Sequence, residues 1–121
     1  MPDLQYTEAE IQQAPLIDET QWERLKTELG EEMLEEFTGE FFEETIETWL
    51  ETSDDPFSLE DAAFRSLSHR TAGAAGTLGF KKMRVCMLCM EHSSSRDLSR
   101  QYFEIMKAVL KDTQAWVASQ F

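Results

Sequence analysis

The sequence predicts an all-α protein, an antiparallel four-helix bundle with short N-terminal helical additions, and three observations carry that prediction. Only three prolines and five glycines interrupt the 121 residues. No segment has the strict apolar-polar alternation of a half-buried strand. Apolar side chains recur instead at three- and four-residue intervals in stretches of bundle-helix length with short connections.

The elements follow in order. The opening DLQYTEAEIQQA reads as a short, weakly held helix ended by Pro15, so residues 1–15 form an N-terminal extension and 16–121 the bundle. Asp18 is placed to N-cap a helix running to Leu29, with Trp22, Leu25 and Leu29 on one face and Gly30 as its stop. A long amphipathic helix spans Glu31 to about Glu51, striped by Leu34, Phe37, Phe41, Phe42, Ile46, Trp49 and Leu50 and otherwise mostly glutamate. TSDDPFS is a turn-rich loop, from which Ser58 is expected to cap the next helix with Asp61 near capping-box spacing.

That helix, Leu59 to Leu78, carries the most informative pattern in the chain. At about 100° per residue, Phe64, Leu67, Thr71, Ala74, Ala75 and Leu78 fall on the side expected to be buried. On the other side His69 has Ala62 before it and Ala72, Gly73 and Gly76 after it. Each helical glycine costs about 1 kcal/mol relative to alanine, so the bareness asks for a reason. A partner protein pressing its backbone against this face to reach the imidazole would supply one. Gly79 closes the helix. Another follows from about Phe80 to His92 with Phe80, Met83, Met87 and Met90 in its stripe, then a polar SSSR loop. A last helix from about Asp97 to Ser119 turns Tyr102, Met106, Val109, Leu110, Thr113 and Val117 inward.

Composition narrows the function classes. The 41% hydrophobic content suits one modest globular domain. With 24 acidic against 11 basic residues the net charge is −13, which repels nucleic acid and anionic membranes. No run approaches the roughly 20 apolar residues of a membrane span, and MPDLQYTEAE lacks the pattern of a secretion signal. The expectation is a monomer in the cytoplasm, or also the nucleus of a eukaryote, with Cys86 and Cys89 as free thiols. Cys86-Met-Leu-Cys89 has CxxC spacing with His92 three residues on, but it lies inside a methionine-rich core stripe, so no metal is expected there. There is no glycine-rich phosphate loop and no nucleophilic serine motif, so an autonomous enzyme is not expected.

A neutral imidazole in mid-helix can act as a nucleophile at pH 7. The run SHRTAGAAGTLG resembles the motif of the histidine-containing phosphotransfer (HPt) domain: an active histidine, a glycine four residues later, small residues, then a hydrophobic-Gly pair. Those positions here are His69, Gly73, Ala74, Ala75, Leu78 and Gly79. Met83, Met87 and Met90-Glu91 continue the likeness downstream, and LIDETQWERL with MLEEFTGEFFEETIETWL continue it upstream. The resemblance covers roughly residues 16–121.

It implies that His69 accepts a phosphoryl group at Nε2 from a receiver-domain aspartate and passes it to another. The partners implied are response-regulator receiver domains and a hybrid histidine kinase. The protein itself needs no cofactor, because the receiver brings Mg²⁺ and an acidic pocket. Glu91 falls where the family has a residue that binds Nδ1–H of the histidine; a solvated glutamate at a helix end is the plainer reading. Where the family usually has lysine, three residues after the histidine, this chain has Ala72. Arg65, one turn before His69, is either a substitute cation for the phosphoryl group or a solvated arginine. Two competing functions remain: an HPt-like module that binds receivers without relaying phosphate, and a helical scaffold.

Overall fold

The computed structural model describes residues 6–121 and is all-helical among them: α1 Glu8–Gln13, α2 Glu19–Leu29, α3 Glu31–Trp49, a 3₁₀ turn Pro56–Ser58, α4 Asp61–Thr77, α5 Lys81–Glu91 and α6 Arg96–Gln120. Contacts link α2 to α3, α3 to α4, α4 to α5 and α5 to α6, and α1 lies on α5. α6 also runs along α3, where Ile46, Leu50, Leu110 and Lys111 line a shared groove. None of the described helices is long and apolar enough to cross a membrane.

The part of the expected first helix before Tyr6 lies outside the described residues; the remainder is α1, ending before Pro15 as expected. It is not weakly held. Ile11 is 2% exposed and belongs to the same core as the other helices. Burying an isoleucine contributes about 1.5–3 kcal/mol, which holds a helix too short to persist alone. The Thr7 carbonyl also accepts from the Cys89 thiol at 3.6 Å. Residues 6–15 thus pack against the rest of the described chain.

α2 begins and ends where the sequence indicates. The Asp18 carboxylate accepts from the Gln21 amide at 3.1 Å, and Gly30, at φ 87°, breaks the helix and starts α3 in one residue. The buried stripe of α3 is narrower than the expected one. Leu34, Phe41 and Trp49 are buried with Thr38 and Thr45 between them, whereas Phe37 and Leu50 are exposed. The observed spacing of 34, 38, 41, 45 and 49 is a straight helical stripe, and Phe37 and Leu50 lie off its edges. The Thr38 hydroxyl donates to the Glu35 carbonyl at 2.9 Å, so this polar residue reaches the core with its bond satisfied.

Ser58 does not cap α4. Its hydroxyl donates to the Asp55 carbonyl at 2.7 Å inside the 3₁₀ turn, and the Asp55 carboxylate accepts from the Phe57 amide at 3.0 Å. Pro56 and Phe57 are buried, which fixes the turn, and α4 starts later, after Glu60, without a side-chain cap. The buried face of α4 is also rotated from the expected one. Phe64, Ser68, Ala72, Ala75 and Leu78 are inside, Leu67 and Thr71 are half-buried, and Ala74 is exposed. Ser68 tolerates burial because its hydroxyl returns to the Phe64 carbonyl at 3.0 Å. Small residues at 68, 72 and 75 turn towards the core rather than towards solvent.

At the end of α4, Gly79 adopts φ 83° and the Phe80 amide donates to the Ala75 carbonyl at 2.9 Å, reversing the chain into α5. A Cβ on Gly79 would sit 3.1 Å from the Asp18 carbonyl oxygen, so the position is closed on steric as well as conformational grounds. α5 is the most enclosed helix: Phe80 before it and Met83, Cys86, Met87, Cys89 and Met90 within it are fully buried. Ser95, unassigned by the sequence pattern, caps α6 by accepting from the Leu98 amide at 3.1 Å. The inward positions of α6 are those expected from Tyr102 to Val117.

Candidate functional site

α4 and α5 run in opposite directions from the Gly79 turn, so the middle of α4 meets the C-terminal end of α5. His69 and Glu91 face each other across that seam. The His69 Nδ1 lies 3.0 Å from Glu91 Oε1, and their side chains are 70% and 16% exposed. A carboxylate accepts hydrogen bonds only, so the pairing puts a proton on Nδ1 and leaves the Nε2 lone pair unprotonated in the neutral ring. The unprotonated nitrogen belongs to an exposed side chain while the carboxylate paired with the ring is held in the protein. The same Glu91 oxygen lies 3.7 Å from His92 Nε2, and the His92 ring stacks on Tyr6 with centroids 4.4 Å apart.

Arg65 is not free to meet a phosphoryl group. Its Nε donates to Asp61 at 2.8 Å, one terminal nitrogen donates to the Glu91 carbonyl, and the other donates to the Ser93 carbonyl at 3.0 Å. The last carbonyls of a helix have no partner within it, and a guanidinium there also meets the negative end of the helix dipole. Arg65 therefore fastens the end of α5 that carries Glu91, and neither reading made from sequence describes it. The Arg65 hydrogen bond holds the Asp61 carboxyl below its usual range against the opposing effect of burial, with smaller help from the charges of Arg65 and Arg96.

The four small residues expected on the docking face divide. Ala62 and Gly73 are exposed, and a Cβ added to Gly73 would find nothing within 4 Å. Ala72 is 2% exposed and lies in the core, so it is not a surface that a partner can touch. The physical cause is the rotation of α4, which brings the position three after His69 under the neighbouring chain. Gly76 is half-buried because the Arg84 side chain crosses it; a Cβ there would lie 2.8 Å from Arg84 Cδ. Arg84 was not singled out by sequence reasoning. Its signal was register: it precedes Glu91 by seven residues as Gly76 follows His69 by seven, and a hairpin about Gly79 sets the two pairs level.

Cys86 and Cys89 are free and buried. Burial pushes each thiol up to about 12, with smaller additions from Cys89 at Cys86 and from Glu10 at Cys89. Such thiols are poor nucleophiles and poor metal ligands at neutral pH. Among the described residues no group of three His, Cys, Asp or Glu side chains is arranged to hold a metal ion.

Compared with protein-family models, characterised proteins and solved structures, the chain gives no match.

Proposed function

We propose that this protein is a histidine phosphotransfer intermediate of a multistep phosphorelay, taking a phosphoryl group from one receiver-domain aspartate and giving it to another. The observation that carries the reading is the His69–Glu91 pair: an exposed imidazole in mid-helix whose Nδ1 is tied to a mostly buried carboxylate. The open backbone at Gly73, one turn along the same face, gives an incoming domain room to approach.

The chemistry balances with these residues alone on this side. The Nε2 lone pair of His69 attacks the phosphorus of an aspartyl phosphate, the N–P bond forms, and the acyl-phosphate O–P bond breaks to release the receiver's carboxylate. The Nδ1 proton stays in place, so the ring gains positive charge as the bond forms. The Glu91 carboxylate at 3.0 Å lies where it offsets that charge. Transfer onward is the reverse of the same step. Mg²⁺ belongs to the receiver in this reading, and the protein is a substrate and product of the relay rather than an autonomous enzyme. It acts as a monomer in the cytoplasm, with receiver domains and a hybrid histidine kinase as partners and no nucleic acid or membrane among them.

The test is incubation with phosphorylated receiver domains followed by detection of acid-labile label. Wild type should be labelled at position 69, and His69→Gln should fold normally and take up none. Labelling of His69→Gln at the wild-type level overturns the reading. Receiver binding without any labelling would select instead a docking module of the same shape.

A further inference from the structure

The charges of this chain are segregated. Residues 1–60 hold nineteen Asp and Glu against two Lys and Arg, whereas residues 61–100, which contain α4, α5 and the start of α6, hold three against seven. A protein of net charge −13 therefore carries one net-positive hairpin, and His69 lies on it. Three of the seven cations in residues 61–100 are engaged, Arg65 of α4 and Arg96 of α6 at Asp61 and Arg100 of α6 at Asp55, which leaves Arg70, Lys81, Lys82 and Arg84 of the hairpin outside any ion pair among the described residues. Arg84 is exposed and has no ion pair or hydrogen bond to another described side chain.

Its place is fixed by the hairpin. His69 is level with Glu91 and Gly76 is level with Arg84, so imidazole and guanidinium share one strip of the α4–α5 face. Seven residues of α-helix separate the two levels, about 10 Å at 1.5 Å per residue. Between them is Gly73, above which there is open space.

We propose that this strip is a docking surface for an acidic protein face, in which Arg84 meets a partner carboxylate about 10 Å from the site of transfer. The proposal rests on the phosphotransfer reading, which supplies the occupant: a receiver domain, whose reacting aspartate lies in an acidic pocket. Charge complementarity selects this face. The acidic half of the chain repels such a partner while the hairpin attracts it, so encounter is oriented before contact. A cation at the rim of a contact acts chiefly on the association rate, and salt screens it.

The experiment measures label transfer to His69 from a phosphorylated receiver, as kcat/KM and as the rate at saturating receiver, at low and high salt. Arg84→Glu should lower kcat/KM by about tenfold at low salt, leave the saturated rate unchanged, and converge on wild type near 1 M salt. Lys111→Glu, the same charge change on the α3–α6 groove, should leave kcat/KM near wild type. Arg84→Gln, which cannot repel, should fall between, and it replaces Arg84→Glu if that variant fails to fold. Equal losses from Arg84→Glu and Lys111→Glu overturn the proposal in favour of a net-charge effect, and transfer unchanged by both Arg84 variants overturns it outright. Salt-sensitive self-association of wild type that Arg84→Glu abolishes would assign the strip to a second copy and also overturn it. Failure of the underlying reading shows differently: wild type takes no label at any salt, and both fall together.

Discussion

The guanidinium of Arg65 donates to the main-chain carbonyl of Glu91, so the residue that pairs with the His69 imidazole is itself held through its backbone by the helix that carries His69. α4 thus supplies both the imidazole and the clamp on its hydrogen-bond partner. A side chain at position 65 acts on position 69 by way of α5.

Arg65→Ala should therefore do two things. Losing charge-assisted bonds to the end of α5 should lower stability by about 1–2 kcal/mol, read as a shift in urea midpoint at constant slope. Because Glu91 is loosened, the nitrogen NMR signals of His69 should move towards a mixture of tautomers. Stability loss with an unchanged tautomer would show that Arg65 is only a fastening.

Glu91→Gln and Glu91→Ala separate geometry from charge. Gln keeps an acceptor for Nδ1–H and should preserve the tautomer while losing the charge that offsets the reacting ring; Ala loses both. Phosphoryl uptake should fall in the order wild type, Gln, Ala, with the Ala variant down by about ten- to a hundredfold if one preorganised interaction is worth about 1.5–3 kcal/mol. Wild-type uptake by Glu91→Ala would remove Glu91 from the mechanism.

Burial of Ala72 reverses what a lysine there is expected to do. On the sequence, Ala72→Lys restores a cation beside the phosphoryl group. In the folded protein the longer side chain starts from a 2% exposed position and has to push past its neighbours to reach water, at a cost of about 1–3 kcal/mol. Thermal unfolding should show Ala72→Lys to be the least stable of the α4 variants, and only a gain in transfer at temperatures well below its Tm would recover the phosphate role.

Gly73 and Gly76 should respond differently to alanine. At Gly73 the new methyl meets nothing within 4 Å and helix propensity favours it, so Gly73→Ala should gain about 0.5–1 kcal/mol. At Gly76 the methyl displaces Arg84, and the gain should be smaller. Parallel chemical denaturation of the two variants checks the difference.

The cysteines give a pH prediction. Each thiol titrates at about 12 in the folded protein against an ordinary 9.0, so the protonated form is favoured by the fold. That contribution to stability is complete below pH 9 and is lost as pH rises from 9 towards 12. At pH 8 neither thiol should react with iodoacetamide until denaturant is added, and rapid alkylation of the native protein would show that the α1–α5 packing opens.

Local rules, readable along the chain, determined much of this protein. Asp18 as a cap, Gly30 and Gly79 as stops, and the inward stripe of α6 depend on neighbours within one or two turns, and those residues stand where the pattern places them. His69 was legible for the same reason, since bareness on one helical face is a local property. What the tertiary structure decided is the rotation of each helix about its axis. The sequence gives α4 two faces of small and apolar residues with little contrast, so the side that turns inward depends on α5; that choice buried Ala72 and exposed Ala74. Arg65, Arg84 and α1 were settled likewise by packing between segments distant in sequence. An arginine's partners, a glycine's cover and a six-residue helix's stability are all set by what the rest of the chain brings against them, and no periodicity along one helix encodes that.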